Sequence, residues 1–418
     1  MKDKNPQKII ILTLITILII FYIRIITYNK PIVFSDETKY LEILNLTQQG
    51  ISHPISGTGY VHTILTLNKL TSINLETLTI LYSALISLLS ITLIYLIYKN
   101  QLKKSALTAS FLLLTTSYFI FPLIEARPQQ LGMLLTLIST FSYGMYLKNK
   151  KNYLIPFSFF YSFTFYYHIL SFALTTAIIT LLFLWELTDK KTNYKKTIVP
   201  LTILLTTSLI YLSPNSPYSR NRQDLIDTSM TLWSKLNQSL IPALTLTTLI
   251  IIITTLLLIK YISSFKNNKK HTPTTLTIIL FTTPIIALGT QFYIRKDLYL
   301  EFYNHSLFLF LSFQLGNIIF GTLYLLSIKK TLDNKEKQDF FFKTSITLLI
   351  IGTLTIITSL FLDYRLNNLL IRVLNYWTIF AAPTAAKKLN PKKHTNKIII
   401  TLLIILSVIN ASRKIPTI

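Results

Sequence analysis

The sequence contains no cysteine, and its acidic residues are scarce beside the basic ones. The absence of cysteine excludes disulfide bonds and thiolate metal sites, and it leaves the redox compartment undetermined. Asp and Glu number 16 against 41 Lys and Arg, which gives a formal net charge of +25. Because the lysines lie in short clusters between apolar runs, the positive-inside rule accounts for this charge, and no nucleic-acid partner is expected.

Internal repeats and low-complexity linkers are also lacking, so we expect one membrane domain over residues 1–418 without a soluble C-terminal domain. Apolar runs of about 20 residues, the length that crosses a hydrocarbon core of about 30 Å, recur along the chain. The sequence therefore predicts an all-α integral membrane protein with about thirteen transmembrane helices. The first run, with no small-residue cleavage site after it, is expected to be a retained signal anchor. The expected spans are residues 9–26, 75–98, 105–121, 130–147, 153–167, 169–187, 197–212, 241–261, 274–293, 306–328, 340–362, 369–386 and 398–411.

Lysine clusters predict the orientation of these helices in a cell membrane. Under the positive-inside rule the clusters lie in the cytoplasm together with the N-terminus, which places residues 27–74 and 213–240 in long outer loops. The rule also requires residues 153–187 to form a hairpin around His168. The amphipathic segment 60–72 is too short to span and is expected along the outer interface. Long ordered loops usually carry function, so the outer face is the expected location of a site.

All eight arginines fall at or near the outer face in this topology, whereas most lysines fall inside. Arginine is a planar, permanently charged, bidentate donor, so this distribution predicts phosphate binding at the outer surface. Pairing of the arginines with outer carboxylates is the alternative. Arg372 lies within a predicted span, where a charge is costly and usually faces the protein interior, and it is therefore a candidate phosphate ligand.

The first outer loop carries the residues that point most directly to chemistry. Asp36 and Glu37 follow the first span, and His53, Pro54 and Tyr60 come later in the loop. Two interpretations stay open for the carboxylates. They can occupy the first turn of a short helix capped by Ser35, where the helix dipole favours negative charge. Alternatively, one of them acts as a general base on an acceptor hydroxyl while outer arginines bind a phosphate leaving group.

This ordered set resembles the polyprenyl-phosphate-dependent glycosyltransferases of the GT-C superfamily, nearest to the branch of protein O-mannosyltransferases and lipid A aminoarabinose transferases. The resemblance rests on Asp36-Glu37, on His53-Pro54, on the tyrosine at position 60, on Glu125-Ala126-Arg127-Pro128 and on His168. It extends to the architecture, because about thirteen spans are expected in both. The second proline of the family's Lys/His-Pro-Pro motif is replaced by Ile55.

The resemblance implies an inverting transfer of a sugar from a polyprenyl-phosphate donor to an acceptor hydroxyl at the outer face. It implies Asp36 as the base, assisted by Glu37, and it places Arg127 and His53 at the donor phosphate, for which Arg372 is the second candidate from its position within a span. Further expected substrate-binding residues are Glu125, Tyr60 and His168. The donor, an unidentified lipid, glycan or protein acceptor, and membrane lipids are the expected partners.

No cofactor is required by this reading, although Asp36, Glu37 and a histidine could also hold a divalent metal. An ion pair between Glu125 and Arg127 is the alternative to a phosphate site. Two other classes of protein fit the same composition. A transporter or flippase of polyprenyl-linked glycans would show broken helices and ionisable residues at mid-membrane, and a non-catalytic subunit would use Asp36 and Glu37 only as helix-start residues.

Overall fold

The computed structural model describes residues 36–51, 57–102, 105–124, 126–187, 194–212, 307–333, 339–361 and 367–389, with isolated positions at 282, 399, 401–402 and 405. Within these residues the fold is all-helical and contains no strand, as the sequence predicts. The helices are α1 (Asp36–Gln48), α2 (Thr58–Thr71), α3 (Leu75–Leu102), α4 (Ala106–Leu114), α5 (Ser117–Ile124), α6 (Pro128–Leu147), α7 (Leu154–Tyr167), α8 (Ile169–Leu187), α9 (Tyr194–Leu212), α10 (Leu307–Asp333), α11 (Phe340–Phe361) and α12 (Asn367–Ala386).

Side-chain pairs fix the relative direction of the long helices. Gln130, in the first turn of α6, donates to Ser83 O at 2.7 Å near the start of α3. At the other end, the Gln101 amide of α3 contacts the Met145 sulfur of α6 at 3.2 Å. These two pairs show that α3 and α6 are parallel. The predicted topology requires both helices to run from the outer to the inner face.

Helices α7 and α8 form a tight hairpin at His168, as expected. His168 has extended backbone angles (φ −155°, ψ 110°) between the two helices. The Phe165 and Phe172 rings lie 5.3 Å apart, and Tyr161 bonds Thr176 at 2.8 Å, so residues equally far from the turn face each other. The 14 residues of α7 span about 21 Å, which is short of a hydrocarbon core of about 30 Å.

The predicted span 105–121 differs from the structure, which divides it between two short helices. Thr115 and Thr116 separate α4 from α5, and their hydroxyls bond the Leu112 and Leu113 carbonyls at 2.7 and 2.8 Å. Helix α10 packs on this break, because a Cβ atom on Gly316 would lie 2.5 Å from the Thr115 carbonyl oxygen. The hydropathy of the run does not predict this break. Both threonine hydroxyls bond carbonyls of the preceding turn, so the backbone groups at the break are satisfied locally.

One end of the bundle, which we call the lysine end, is defined by Lys148, Lys343 and Lys387. Lys343 forms an ion pair with Glu186 at 2.7 Å, and Lys387 with Asp339 at 3.3 Å. Lys148 donates to Gln101 at 3.2 Å at the end of α3. The helices α3, α6, α8 and α12 therefore all finish at the same end of the bundle.

Two of the described helices, α3 and α8, are long and apolar enough to cross a membrane by length and composition, which suggests association with a membrane. Other predictions lie outside the described residues. They are the spans at 9–26, 241–261, 274–293 and most of 398–411, the outer loop 213–240, and the site residues His53 and Glu125.

Candidate functional site

Arg127 lies at the start of α6, opposite the lysine end. It is the extended N-cap residue (φ −144°, ψ 160°), and Pro128 is the first residue of the helix. Proline is tolerated there because the first amides of a helix have no partner within it. The predicted helix start next to Arg127 is therefore confirmed. The positive end of the helix dipole is therefore at the backbone of Arg127.

Arg372 approaches the same place from α12. One turn after it, the Tyr376 hydroxyl hydrogen-bonds Ser171 Oγ at the start of α8. In the amide orientation that satisfies its neighbours, Asn375 accepts from Gln129 at 3.1 Å at the start of α6. These contacts bring the starts of α6 and α8 against the middle of α12. Residues 127, 168 and 372, far apart in sequence, thus lie at the same end of the bundle, which we call the arginine end.

The environment of the arginine end lowers the pKa of His168. Its side chain is 3% exposed, and its Nδ1 lies 2.6 Å from Ser171 Oγ. Burial, followed by the positive charges of Arg372 and Arg127, lowers the pKa of His168 from 6.5 to about 3. Both arginines therefore act on one imidazole, which stays neutral at physiological pH because its cation would be buried beside two permanent charges.

Helices α1 and α2 cover the arginine end. Tyr60 of α2 donates its hydroxyl to Ala126 O at 3.1 Å, next to Arg127. The Tyr40 ring of α1 packs edge-on against Tyr60 with centroids 5.6 Å apart. Asp36 begins α1 one turn before Tyr40, and residues four apart lie on the same face of a helix. Tyr40 and Tyr60 thus connect α1 to the segment that precedes α6.

Helix α2 also packs against the hairpin of α7 and α8. His62 Nδ1 lies 2.7 Å from the Tyr166 hydroxyl. A Cβ atom on Gly59 would lie 2.9 Å from the rings of both Tyr166 and Tyr167, so only glycine allows this approach. The predicted interfacial segment is thus a helix across the end of the bundle.

Several polar residues of the arginine end were not singled out by the sequence analysis. Gln130 Nε2 donates to Ser87 Oγ at 2.6 Å, besides its bond to Ser83, and these groups are buried. Ser171 and Tyr376 are likewise buried. Their signal in the sequence is polarity inside otherwise apolar runs: Gln130 comes two residues after Pro128, Ser171 three after His168 and Tyr376 four after Arg372. Buried polar groups require partners, and such residues in spans are commonly functional.

The structure brings some of the predicted site residues together, and others lie outside the described residues. Arg127, His168 and Arg372 lie at the same end of the bundle, and the Tyr60 hydroxyl binds the backbone beside Arg127. Asp36 and Glu37 occupy the first turn of α1, which fits both the helix-start interpretation and the catalytic one. Within the part of the chain that the structure describes, no three His, Asp or Glu side chains are grouped as a metal site. The proposed metal ligands Asp36 and Glu37 are described only in their backbone.

The chain matches no protein-family model, no curated protein and no solved structure.

Proposed function

We propose that the chain is a multi-pass membrane glycosyltransferase that moves a sugar from a polyprenyl-phosphate donor to an acceptor hydroxyl. The observation that carries the proposal is the placement of Arg127 and Arg372 at the end of the bundle that holds His168, where α1, which begins with Asp36 and Glu37, also lies. Two guanidiniums from separate helices form an anion site, and the carboxylates lie at the start of the helix that covers it. Glu37, His53, Glu125 and Tyr60 have assisting roles at this site in the proposal.

The proposed reaction is a single displacement with inversion. The acceptor oxygen attacks the anomeric carbon, and Asp36 takes the hydroxyl proton. The bond from that carbon to the phosphate oxygen breaks, and its electron pair stays on the phosphate, which gains one negative charge. Arg127 and Arg372 stabilise this additional charge, which is largest at the end of the reaction. No metal is needed for the proton or charge balance of this step.

The proposal includes the predicted topology, with about thirteen spans and the arginine end at the outer face. Parallel α3 and α6 and the hairpin at His168 support it, since an alternating topology requires these directions. The grouping of Lys148, Lys343 and Lys387 at the opposite end supports the assignment of that end to the cytoplasm. A donor anchored in the outer leaflet would then reach the arginine end from the lipid.

The test combines the identity of the bound lipid with a catalytic variant. Mass spectrometry of lipids that co-purify with the protein should detect a polyprenyl-phosphate sugar. Asp36→Asn keeps the shape of the side chain but removes its basicity, so donor binding should persist while transfer is lost. Glu42→Gln, on an exposed position of the same helix, is the matched control and should transfer normally. Normal transfer by Asp36→Asn would refute Asp36 as the base.

One observation favours a second function, a transporter or flippase of polyprenyl-linked glycans. The break between α4 and α5 at Thr115 and Thr116 interrupts a predicted span, and broken helices are common in transporters. In sealed vesicles, a flippase would move a labelled polyprenyl-linked glycan between leaflets without forming a glycosidic bond. Movement that survives Asp36→Asn, with no transfer by the unaltered chain, would decide for the flippase.

A further inference from the structure

The hydrogen bonds around His168 define its tautomer. The Ser171 backbone N–H, which can only donate, points to His168 Nδ1 at 3.3 Å. Nδ1 is therefore an acceptor, and a neutral imidazole with an accepting Nδ1 carries its proton on Nε2. Among the described residues, none bonds Nε2. His168 thus has one ring nitrogen fixed by the protein and an N–H donor on the other.

Ser171 and Tyr376 reinforce this arrangement. Ser171 Oγ lies 2.6 Å from His168 Nδ1 and also bonds the Tyr376 hydroxyl. Since Nδ1 accepts, the serine hydroxyl donates to it and in turn accepts from the tyrosine. The order of donors therefore runs from Tyr376 through Ser171 to His168. All three side chains are buried, so water does not compete with these bonds.

Close packing leaves this chain of hydrogen bonds little freedom. A Cβ atom on Gly132 would lie 2.1 Å from Ser171 Oγ and 3.2 Å from His168 Cβ. Helix α6 therefore contacts the serine through its backbone. Tyr376 stands one turn after Arg372 on α12, so the helix that supplies the second guanidinium also supplies the first donor of the chain.

We propose that Ser171 and Tyr376 are positioning residues that hold His168 as a neutral Nε2–H donor, and that this donor joins Arg127 and Arg372 in binding a phosphate. The identity of the ligand as a lipid phosphate rests on the proposed function. His168 contributes a hydrogen bond and no proton, because a cationic imidazole is disfavoured beside the two guanidiniums. Two fixed charges and one neutral donor suit a phosphate whose charge increases during transfer.

Two replacements of His168 test which nitrogen matters. The amide nitrogen of glutamine reaches the position of Nε2, whereas that of asparagine reaches only the position of Nδ1. Binding of a polyprenyl monophosphate to the protein in nanodiscs should weaken less than about threefold in His168→Gln. It should weaken about tenfold or more in His168→Asn, as expected for loss of a hydrogen bond to a charged group. Equal affinities of the two variants would overturn the proposal.

Further arms of the experiment identify the ligand and separate positioning from stability. Polyprenol, which lacks phosphate, should bind equally to both variants, and inorganic phosphate should compete if the headgroup alone is recognised. Ser171→Ala should weaken phosphate binding, whereas Thr175→Val, which removes the neighbouring buried bond to Thr136 at 2.9 Å, should not. Equal weakening by both would show a merely structural role and overturn the proposal.

Nitrogen-15 NMR of the histidine rings reads the tautomer of His168 directly in the unaltered protein. At neutral pH His168 should show the Nε2–H tautomer, and Tyr376→Phe should shift its Nδ1 resonance. A charged ring or an Nδ1–H tautomer would refute the proposal. Phosphate binding that depends on His168 without any sugar transfer would support this site and refute the transferase.

Discussion

Acidification should destabilise the folded protein through His168. In the folded state burial, Arg372 and Arg127 lower the pKa of His168 from 6.5 to about 3, whereas the unfolded chain has the ordinary value. Between these two values the unfolded state binds more protons, so the free energy of unfolding falls as the pH falls. The loss is about 1.4 kcal/mol per pH unit, or about 2 kcal/mol on going from neutral pH to about pH 5.

The measurement is reversible unfolding in mixed micelles, followed by tryptophan fluorescence. Trp185 and Trp377 are buried in the helical core and should report the loss of packing. His168→Gln cannot gain this proton. Acidification from neutral pH to about pH 5 should therefore lower its free energy of unfolding by about 2 kcal/mol less than that of the unaltered protein.

The difference between the unaltered protein and His168→Gln isolates the histidine, because every carboxylate is common to both. Parallel pH dependences of the two proteins would refute the reasoning. They would mean that the imidazole is hydrated or that the guanidiniums of Arg127 and Arg372 do not act on it.

Three further predictions follow from the arrangement of the two ends. Arg127→Lys keeps the charge but loses the bidentate geometry, so the variant should fold and its rate of sugar transfer should fall at least about tenfold. The rate is measured with a polyprenyl-phosphate sugar, and a normal rate would contradict the phosphate role. Gly132→Ala should cost about 1–3 kcal/mol of unfolding free energy, since the added methyl group meets Ser171 Oγ, and unchanged stability would show that α6 and α8 can separate at no cost. The chain has no native cysteine, so Asn149→Cys should resist an impermeant thiol reagent in right-side-out membranes while Gln49→Cys is labelled, and the reverse pattern would overturn the orientation.

Local features of the chain were predictable from the sequence. Pro128 marks the start of α6, because proline fixes a helical φ and needs no amide partner there. The hairpin at His168 followed from lysines at both ends of one long apolar stretch. The break at Thr115 and Thr116 was not predicted, since β-branched residues in an apolar run are compatible with a continuous helix. Its threonine bonds form only within the folded backbone.

The sequence by itself determined the all-helical class and the start of α6 at Arg127-Pro128. These properties depend on hydropathy, proline and charge over short stretches. Only the tertiary structure decided that Arg127, His168 and Arg372 lie at the same end of the bundle, and that Ser171 bonds Tyr376, 205 positions later in the chain. Such pairs depend on how α6, α8 and α12 pack against one another. Helix packing is set jointly by many side chains, including Gly132, and no short pattern in one segment encodes its partner in another.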